Sequence, residues 1–184
     1  SEKLVKMTED CIEQLVHAPL PVGTHLRVLA VNNAASRPLD MKKFEALPDQ
    51  LTHLDNIDQL TLDKNEGFGI GVNKGLDFML IAERWPCDYV LIFNNDLQFP
   101  YQDWLLRLLW EAEPRYVVSP CTDVTATKEA VAEGPVDFLP KRLREVSAYC
   151  WMLKKSMIDA IDTRFGFPLF CPQFSNYGSD DAAA

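Results

Sequence analysis

The stretch Asp88-Tyr-Val-Leu-Ile-Phe-Asn-Asn-Asp-Leu-Gln-Phe-Pro100 decides the fold that we predict for this chain. Its residues Tyr89 to Phe93 are all apolar or aromatic, which predicts a short buried strand. Asn94, Asn95 and Asp96 follow, so an amide pair and a carboxylate stand at the carboxyl end of that strand. In open α/β sheets, ligands bind at this end of the strands. The stretch is therefore a candidate binding site.

Strands and helices alternate around this stretch. The hydrophobic pattern predicts an amphipathic helix first and a strand after most helices, with a weaker pattern beyond Pro120. The alternation favours an α/β fold, a doubly wound, mostly parallel sheet with helices on both faces. The predicted strands are Leu26 to Val31, Ile57 to Leu62, Tyr89 to Phe93, Tyr116 to Ser119 and Val146 to Leu153. The predicted helices are Ser1 to His17, Met41 to Leu47, Gly67 to Trp85, Tyr101 to Glu113 and Lys155 to Ile161, and Phe165 to Tyr177 is predicted to be a loop.

Composition narrows the class of protein. With 184 residues and 47% hydrophobic content, the chain suits one domain with its own core. A net charge of -9 argues against a nucleic-acid surface, and an acidic protein that handles phosphates needs a cation between them. Five widely spaced cysteines without a Cys-x-x-Cys pair favour reduced thiols and a cytoplasmic location. No signal peptide is recognisable, and no apolar run approaches the roughly 20 residues that span a bilayer.

A glycine-rich loop is the second candidate site. Asn65 to Gly75 reads Asn-Glu-Gly-Phe-Gly-Ile-Gly-Val-Asn-Lys-Gly, after a predicted strand and at the start of a predicted helix. Glycine lets the backbone approach a ligand closely, and free amides at a helix start suit anionic groups. Alternatively, the glycines only allow the helix to pack tightly on the sheet. The spacing of Gly67, Gly69 and Gly71 differs from that of the dinucleotide fingerprint.

Two acidic motifs could carry chemistry. The amide and carboxylate oxygens of Asn94 and Asp96 are hard ligands that suit Mg²⁺ or Mn²⁺, although Asp96 could instead cap the helix near Tyr101 or close an Asx turn. Asp180 and Asp181 near the chain end could supply a general base, or simply an N-cap. The three histidines form no metal-ligand pattern and are interpreted as surface or packing residues: His17, His25 and His53.

The order of these motifs along the chain resembles the family 2 glycosyltransferases of the GT-A fold, and the rhamnosyltransferase-like members most. The matching motifs are Val31-Asn-Asn-Ala-Ala-Ser36, the Asn65 to Gly75 loop, Leu91-Ile-Phe-Asn-Asn-Asp96 and Gly178-x-Asp180-Asp181. The resemblance covers nearly the whole chain. It implies one catalytic domain over residues 1–184, with a nucleotide-binding half at 1–120 and an acceptor-side half at 121–184.

The resemblance also implies roles for individual residues. The strand end would contact the base and ribose of the nucleotide, the glycine loop would close over the nucleoside, and the central motif would bind the metal and the donor diphosphate. The final motif would provide the catalytic base, Asp181, with Asp180 beside it. The implied substrate-binding residues are Asn32, Asn33, Asn65, Gly67, Phe68, Asn73 and Asn95, and the implied metal ligands are Asp96 and Asn94.

The activity implied is a metal-dependent, inverting transfer of a sugar from a nucleotide-diphosphate donor, with Mn²⁺ or Mg²⁺ as cofactor. The acceptor would be a hydroxyl on a glycan, a lipid-linked molecule or another compound. One alternative is a GT-A-like domain that binds nucleotide or glycan without turnover. A nucleotidyltransferase is less favoured, since Lys64 and Lys74 are too sparse for a triphosphate-binding loop.

Three departures from the family pattern stand out. Asn32 occupies a position where the family usually has Asp, and the metal motif has one acid where many relatives have two. The family's first strand, expected before the Ser1 to His17 helix, and the helix expected after the acidic motif are not in the sequence. An empty strand position would expose backbone hydrogen-bonding groups, so we expect something to fill that position.

Overall fold

The computed structural model describes residues 2–34, 38–95, 97, 99, 101–113, 117–118 and 150–170. Its helices are α1 (Glu2–Val16), α2 (Leu47–Gln50), α3 (Phe68–Leu76), α4 (Trp104–Ala112) and α5 (Lys155–Phe165), with a 3₁₀ turn at Met41–Lys43 and a π-helical segment at Asp77–Ala82. The strands are β1 (Leu26–Asn32), β2 (Leu54–Thr61), β3 (Tyr89–Phe93), β4 (Val117–Val118) and β5 (Cys150–Lys154). The predicted α/β class is confirmed.

Strand pairing differs from the sequence-based expectation. β1 and β2 are parallel, with Val28 opposite Ile57. β5 lies between β3 and β4 and runs antiparallel to both, so that Phe93 pairs with Cys150. Among the described residues the sheet is therefore only partly parallel. Hydrophobic periodicity locates a strand, but the direction of its partner depends on contacts far away in sequence.

The larger hydrophobic core lies between helices α1 and α4 and one face of both sheets. Val28 of β1, Leu91 of β3 and Met152 of β5 belong to it, together with Leu15 of α1 and Leu108 of α4. Side chains alternate between the two faces of a strand, so the residues that flank Val28, Leu91 and Met152 point to the opposite side. One core thus covers strands from both sheets.

Helix α3 covers the opposite face. Gly75 of α3 lies against Val31 of β1, and Leu76 packs with Val90 of β3 and Leu153 of β5. Because both faces are covered by helices that contact both sheets, the strands form one layer that is interrupted between β1 and β3. Within the described ranges, β1 pairs with β2 alone and β3 with β5 alone. That something fills the strand position between β1 and β3 stays a prediction.

One predicted helix is divided, and another changes its geometry. The segment Met41 to Leu47 is a 3₁₀ turn followed by α2, because Pro48 occupies the first turn of α2 and proline cannot continue a preceding helix. The segment Gly67 to Trp85 contains the predicted helix without a break, as α3 followed directly by the π-helical segment, where the N–H of Glu83 donates to the carbonyl of Phe78 at 2.9 Å.

Neither a membrane-spanning helix nor a disulfide is seen in the described part of the chain. No described helix is long and apolar enough to cross a bilayer. Cys11, Cys87 and Cys150 form no disulfide with one another, and the reduced state stays a prediction. Cys121 and Cys171 lie outside the described residues.

Candidate functional site

The carboxyl ends of β1 and β3 lie at the same end of the layer, and α1 shows why. At the last turn of α1, Nε2 of His53 donates to the carbonyl of Val16 at 2.8 Å, and the His53 carbonyl accepts the N–H of Leu26, where β1 begins. Asn95 comes just after β3. Its Nδ2 donates a hydrogen bond of 2.6 Å to Oγ1 of Thr8, which lies in the first half of α1. Since β1 begins beside one end of α1 and β3 ends beside the other, both strands run antiparallel to α1.

Asn33 joins the end of β1 to the loop before α3. Its Nδ2 donates to Oδ1 of Asn65 at 3.0 Å and to the carbonyl of Gly67 at 3.1 Å. Its Oδ1 accepts the N–H of Glu66 at 3.0 Å. One side chain therefore holds three consecutive loop residues. Three of the predicted substrate-binding residues, Asn33, Asn65 and Gly67, are brought together here.

The turn into α3 depends on glycine. Gly67 has φ +82°, a left-handed conformation that side chains rarely adopt, and its N–H donates to Oδ1 of Asn65 at 3.0 Å. Helix α3 begins at the next residue, Phe68. The first N–H groups of a helix have no intrahelical acceptor and carry a partial positive charge, which suits an anion. The loop therefore presents an anion-compatible helix start at the carboxyl end of β1.

Glu66 and two lysines set the charge of this loop. Oε2 of Glu66 lies 2.5 Å from Nζ of Lys74, and its Oε1 lies 3.7 Å from Nζ of Lys64. The hydrogen bond from Lys74 holds the pKa of the Glu66 carboxyl below its ordinary value, against the opposing effect of desolvation. With Asp63 included, the two lysines and the two carboxylates of this region balance, so the loop has no net charge. Both lysines are engaged with Glu66 in this arrangement.

Asn73 and Phe68, two further predicted substrate contacts, are engaged with Phe170. Asn73 is buried; its Nδ2 donates to the carbonyl of Phe170 at 2.6 Å, and its Oδ1 accepts the Phe170 N–H at 2.9 Å. The ring of Phe68 meets the ring of Phe170 edge to face, with centroids 5.7 Å apart. Contact of either residue with substrate stays a prediction.

Asn32 and Asn94 end their strands at the same edge. Asn32 is the last residue of β1 and lies opposite Thr61, and its carbonyl accepts the N–H of Leu62 at 2.9 Å. Asn94 follows β3, and its carbonyl accepts a hydrogen bond from the thiol of Cys11, with Sγ at 3.8 Å from the carbonyl oxygen. The predicted amide residues of both strands therefore share one edge of the layer.

The predicted acidic residues Asp96, Asp180 and Asp181 lie outside the described residues. Helix α4 begins at Trp104, and Asp103 occupies its N-cap position. The roles considered for Asp96, as a metal ligand, a helix cap or an Asx turn, stay predictions.

The metal site would also depend on Asp96. Among the described residues, no group of three or more His, Cys, Asp or Glu could hold a metal ion. Asn94 could supply a hard amide oxygen at the shared edge, which suits Mg²⁺ or Mn²⁺. His25 and His53 lie at the other edge, where Nδ1 of His25 is 3.0 Å from Oδ1 of Asp55. Both histidines have the surface and packing roles that the sequence indicated.

Two surface clefts are lined by described residues other than those predicted for the site. The one at the start of α1 has a volume of about 310 Å³ and contains Glu9 and Lys43, whose Nζ lies 2.7 Å from Oε1 of Glu9. The other, of about 410 Å³, lies over β2 and includes Asn56 and Asp58. Of the predicted site residues that the structure describes, none lines either cleft.

Sequence reasoning missed the roles of Glu66 and Phe170. Glu66 stands within the quoted glycine loop, so its charge between two lysines was a usable signal. Phe170 stands in the aromatic segment that was predicted only as a loop, and nothing local to it indicates a partner on α3. Comparison of the chain with protein-family models, with curated proteins and with solved structures found no match.

Proposed function

We propose that this chain is a metal-dependent, inverting glycosyltransferase of the GT-A fold that uses a nucleotide-diphosphate sugar. The observation that carries the proposal is the convergence of Asn33, Asn65 and Gly67 at the start of α3, beside the carboxyl ends of β1 and β3. An α/β layer binds ligands at this edge. The ordered resemblance of the sequence motifs supports the same assignment.

The donor nucleotide would bind along the edge formed by the two strand ends. Asn32 would contact the base and ribose, since an amide can both donate to and accept from a nucleobase. Asn33 would contribute by holding the glycine loop, because both of its N–H donors are already bonded to that loop. The diphosphate would lie near the start of α3, where the helix terminus favours an anion. Asn33 fixes that loop in advance, so little ordering would be required on binding.

The residues for the cation would be Asp96 and Asn94, with phosphate oxygens of the donor completing the coordination. A bound Mg²⁺ or Mn²⁺ would neutralise charge on the departing nucleoside diphosphate. Asn95 would contact the substrate, and its side chain is held in place by the hydrogen bond that its Nδ2 donates to Thr8.

The chemical step would be a single displacement. Asp181, with Asp180 beside it, would take the proton of the acceptor hydroxyl. The acceptor oxygen would then form a bond to the anomeric carbon as the bond from that carbon to the donor phosphate breaks. Attack from the face opposite the leaving group inverts the anomeric configuration.

Release of nucleoside diphosphate tests the proposal. Wild type should release it from at least one of a panel of nucleotide sugars in the presence of Mn²⁺ and a mixture of acceptors. Asp181→Asn should lower kcat by about 100-fold or more, because general-base catalysis contributes on that scale. Asp96→Ala should instead abolish Mn²⁺-dependent nucleotide binding in calorimetry, whereas Asp181→Asn should retain it.

Asp159→Asn is the matched control, since this exposed residue of α5 pairs only with Lys155 among the ion pairs seen and stands outside the proposed site. Wild type that binds nucleotide but releases no diphosphate with any donor would support the non-catalytic binding domain instead. Unchanged nucleotide affinity of Asp96→Ala would remove Asp96 from the site.

A further inference from the structure

The first turn of α3 is held from two sides. On the side of β1, Asn33 donates to the carbonyl of Gly67, and the N–H of Gly71 donates to the same carbonyl at 3.0 Å and closes the turn. On the other side, a Cβ added at Gly69 would lie 3.2 Å from both Cβ and Cγ of Phe170. Because Gly69 has no side chain, Phe170 lies directly against the backbone of the turn.

The ring of Phe170 joins this turn to the sheet. It meets the ring of Phe68, the first residue of α3, edge to face, with centroids 5.7 Å apart. It also stacks on Trp151 of β5, with centroids 5.6 Å apart and an interplanar angle of 13°. Edge-to-face and stacked pairs are the arrangements that aromatic rings favour. Strand β5 therefore supports the first turn of α3 through one phenylalanine side chain.

The backbone of Phe170 is fixed by Asn73, in the second turn of α3. Nδ2 of Asn73 donates to the Phe170 carbonyl at 2.6 Å, and its Oδ1 accepts the Phe170 N–H at 2.9 Å. Asn73 is 7% exposed, so both hydrogen bonds form where unpaired polar groups would be costly. The helix that Phe170 supports thus also holds Phe170 in place.

We propose that Phe170 is a positioning residue for the donor: packed against Trp151 and the first turn of α3, it keeps that turn in the shape that binds the donor diphosphate. The inference rests on the proposed glycosyltransferase function, which places the diphosphate at this turn. A turn that is ordered in advance lowers the cost of ordering it when the ligand binds. Phe170 and Asn33 then support the donor site from opposite sides.

The first variant is Phe170→Ala, tested by calorimetry with UDP, GDP, CDP and dTDP in the presence of Mn²⁺. Without the ring, the first turn of α3 must be ordered when the nucleotide binds. We expect the Kd of the nucleotide that binds wild type most tightly to rise by about tenfold, since ordering a few groups has a cost of that size. The N–H of Gly71, followed by NMR, should exchange faster because its bond to Gly67 closes the turn.

An exchange of side-chain volume separates positioning from a general loss of packing. Gly69→Leu alone should also raise Kd, because the new side chain would collide with Phe170. In the double variant with Phe170→Ala, the leucine occupies the space that the ring leaves. The double variant should therefore bind nucleotide more tightly than either single variant, whereas two independent losses would add.

Two controls accompany these variants. Phe167→Ala removes the same side chain in the same segment, where the ring of Phe167 stacks on Phe165 with centroids 5.9 Å apart, and should leave Kd unchanged. Ile158→Val shortens a buried side chain of α5 and should lower the melting temperature without changing Kd.

Three results would overturn the proposal. A wild-type Kd in Phe170→Ala removes the positioning role and leaves the proposed function intact. An equal rise of Kd in either control, or a double variant that binds no better than the single variants, indicates a general loss of packing instead. Wild type that binds none of the four nucleotides defeats the proposed function and the positioning role together.

Discussion

Glu66 has a side chain that is 16% exposed, between the more exposed cations Lys64 and Lys74. The bond from Lys74 is the main cause of its lowered pKa, and desolvation acts in the opposite direction. The ion pair joins residues on both sides of the turn into α3 and exists only while Glu66 is ionised. The stability of the protein should therefore depend on pH.

We predict that Glu66→Gln removes a stabilisation that is present only above acidic pH. A lowered folded-state pKa means that the unfolded chain binds the proton more readily, so the contribution is full above the ordinary pKa of 4.5 and is lost as the pH falls through the lower folded value. Melting temperatures of wild type and Glu66→Gln should differ at about pH 7 and converge at about pH 3.

Lys74→Met should show the same convergence, and the double variant should lose no more than either single variant if the pair acts as a unit. A difference between wild type and Glu66→Gln that is constant across this pH range would contradict the assignment.

Helix α3 shows that the two interpretations of the glycine loop apply to different residues. Gly67 is required by its positive φ, which belongs to the turn at the proposed site. Gly75 and Gly69 serve packing, since each faces a side chain at close range, Val31 and Phe170 respectively. The sequence pattern combined these roles because glycine is suited to both.

We predict that Gly75→Ala destabilises the protein. An added Cβ would lie 2.9 Å from Cγ2 of Val31, and a β-branched side chain has little rotamer freedom to move away. Overpacking of this kind costs about 1 to 3 kcal/mol, which exceeds the gain of up to about 1 kcal/mol from replacing a helical glycine by alanine. Urea denaturation should therefore give a lower free energy of unfolding.

Gly71→Ala is the matched control on the same helix. Its Cβ would lie 3.6 Å from Nδ2 of Asn33, an ordinary contact, so the gain in helix propensity should leave stability equal or higher. A Gly75→Ala variant as stable as Gly71→Ala would show that β1 and α3 are less tightly packed than the distance implies.

Unfolding of the whole molecule can be followed through two buried thiols. Cys11 of α1 is 1% exposed and Cys150 of β5 is 0% exposed. Burial, with a smaller contribution from Cys11, raises the pKa of the Cys150 thiol to about 12. Because the thiolate is the reactive form, Cys150 should be almost inert at neutral pH while the protein is folded.

We predict that iodoacetamide labels Cys11 and Cys150 over the same range of urea concentration, at the global unfolding transition measured by circular dichroism. Helix α1 packs on the strands in one shared core, so α1 and β5 should unfold together. Peptide mass spectrometry assigns the label, and the half-buried Cys87, before β3, serves as the comparison that should react earlier. Labelling of Cys150 well before Cys11 would mean that β5 unfolds separately from α1.

The sequence by itself determined the local features. Runs of apolar residues located β1, β2, β3 and β5, and the polar residues that follow β1 and β3, such as Asn33 and Asn95, were identified as candidate site residues. These features are predictable because strand periodicity, proline and glycine act within a few residues of themselves. The proposed activity also rests on the sequence motifs, including Asp96 and Asp181.

Only the tertiary structure decided how these pieces combine. It made β5 antiparallel to β3, divided the layer between β1 and β3, directed Asn33 to the glycine loop and paired Asn73 with Phe170. Each of these outcomes joins residues that are distant in sequence. Local patterns cannot specify such contacts, because the partner of a strand edge or a buried amide is selected by the packing of the whole chain.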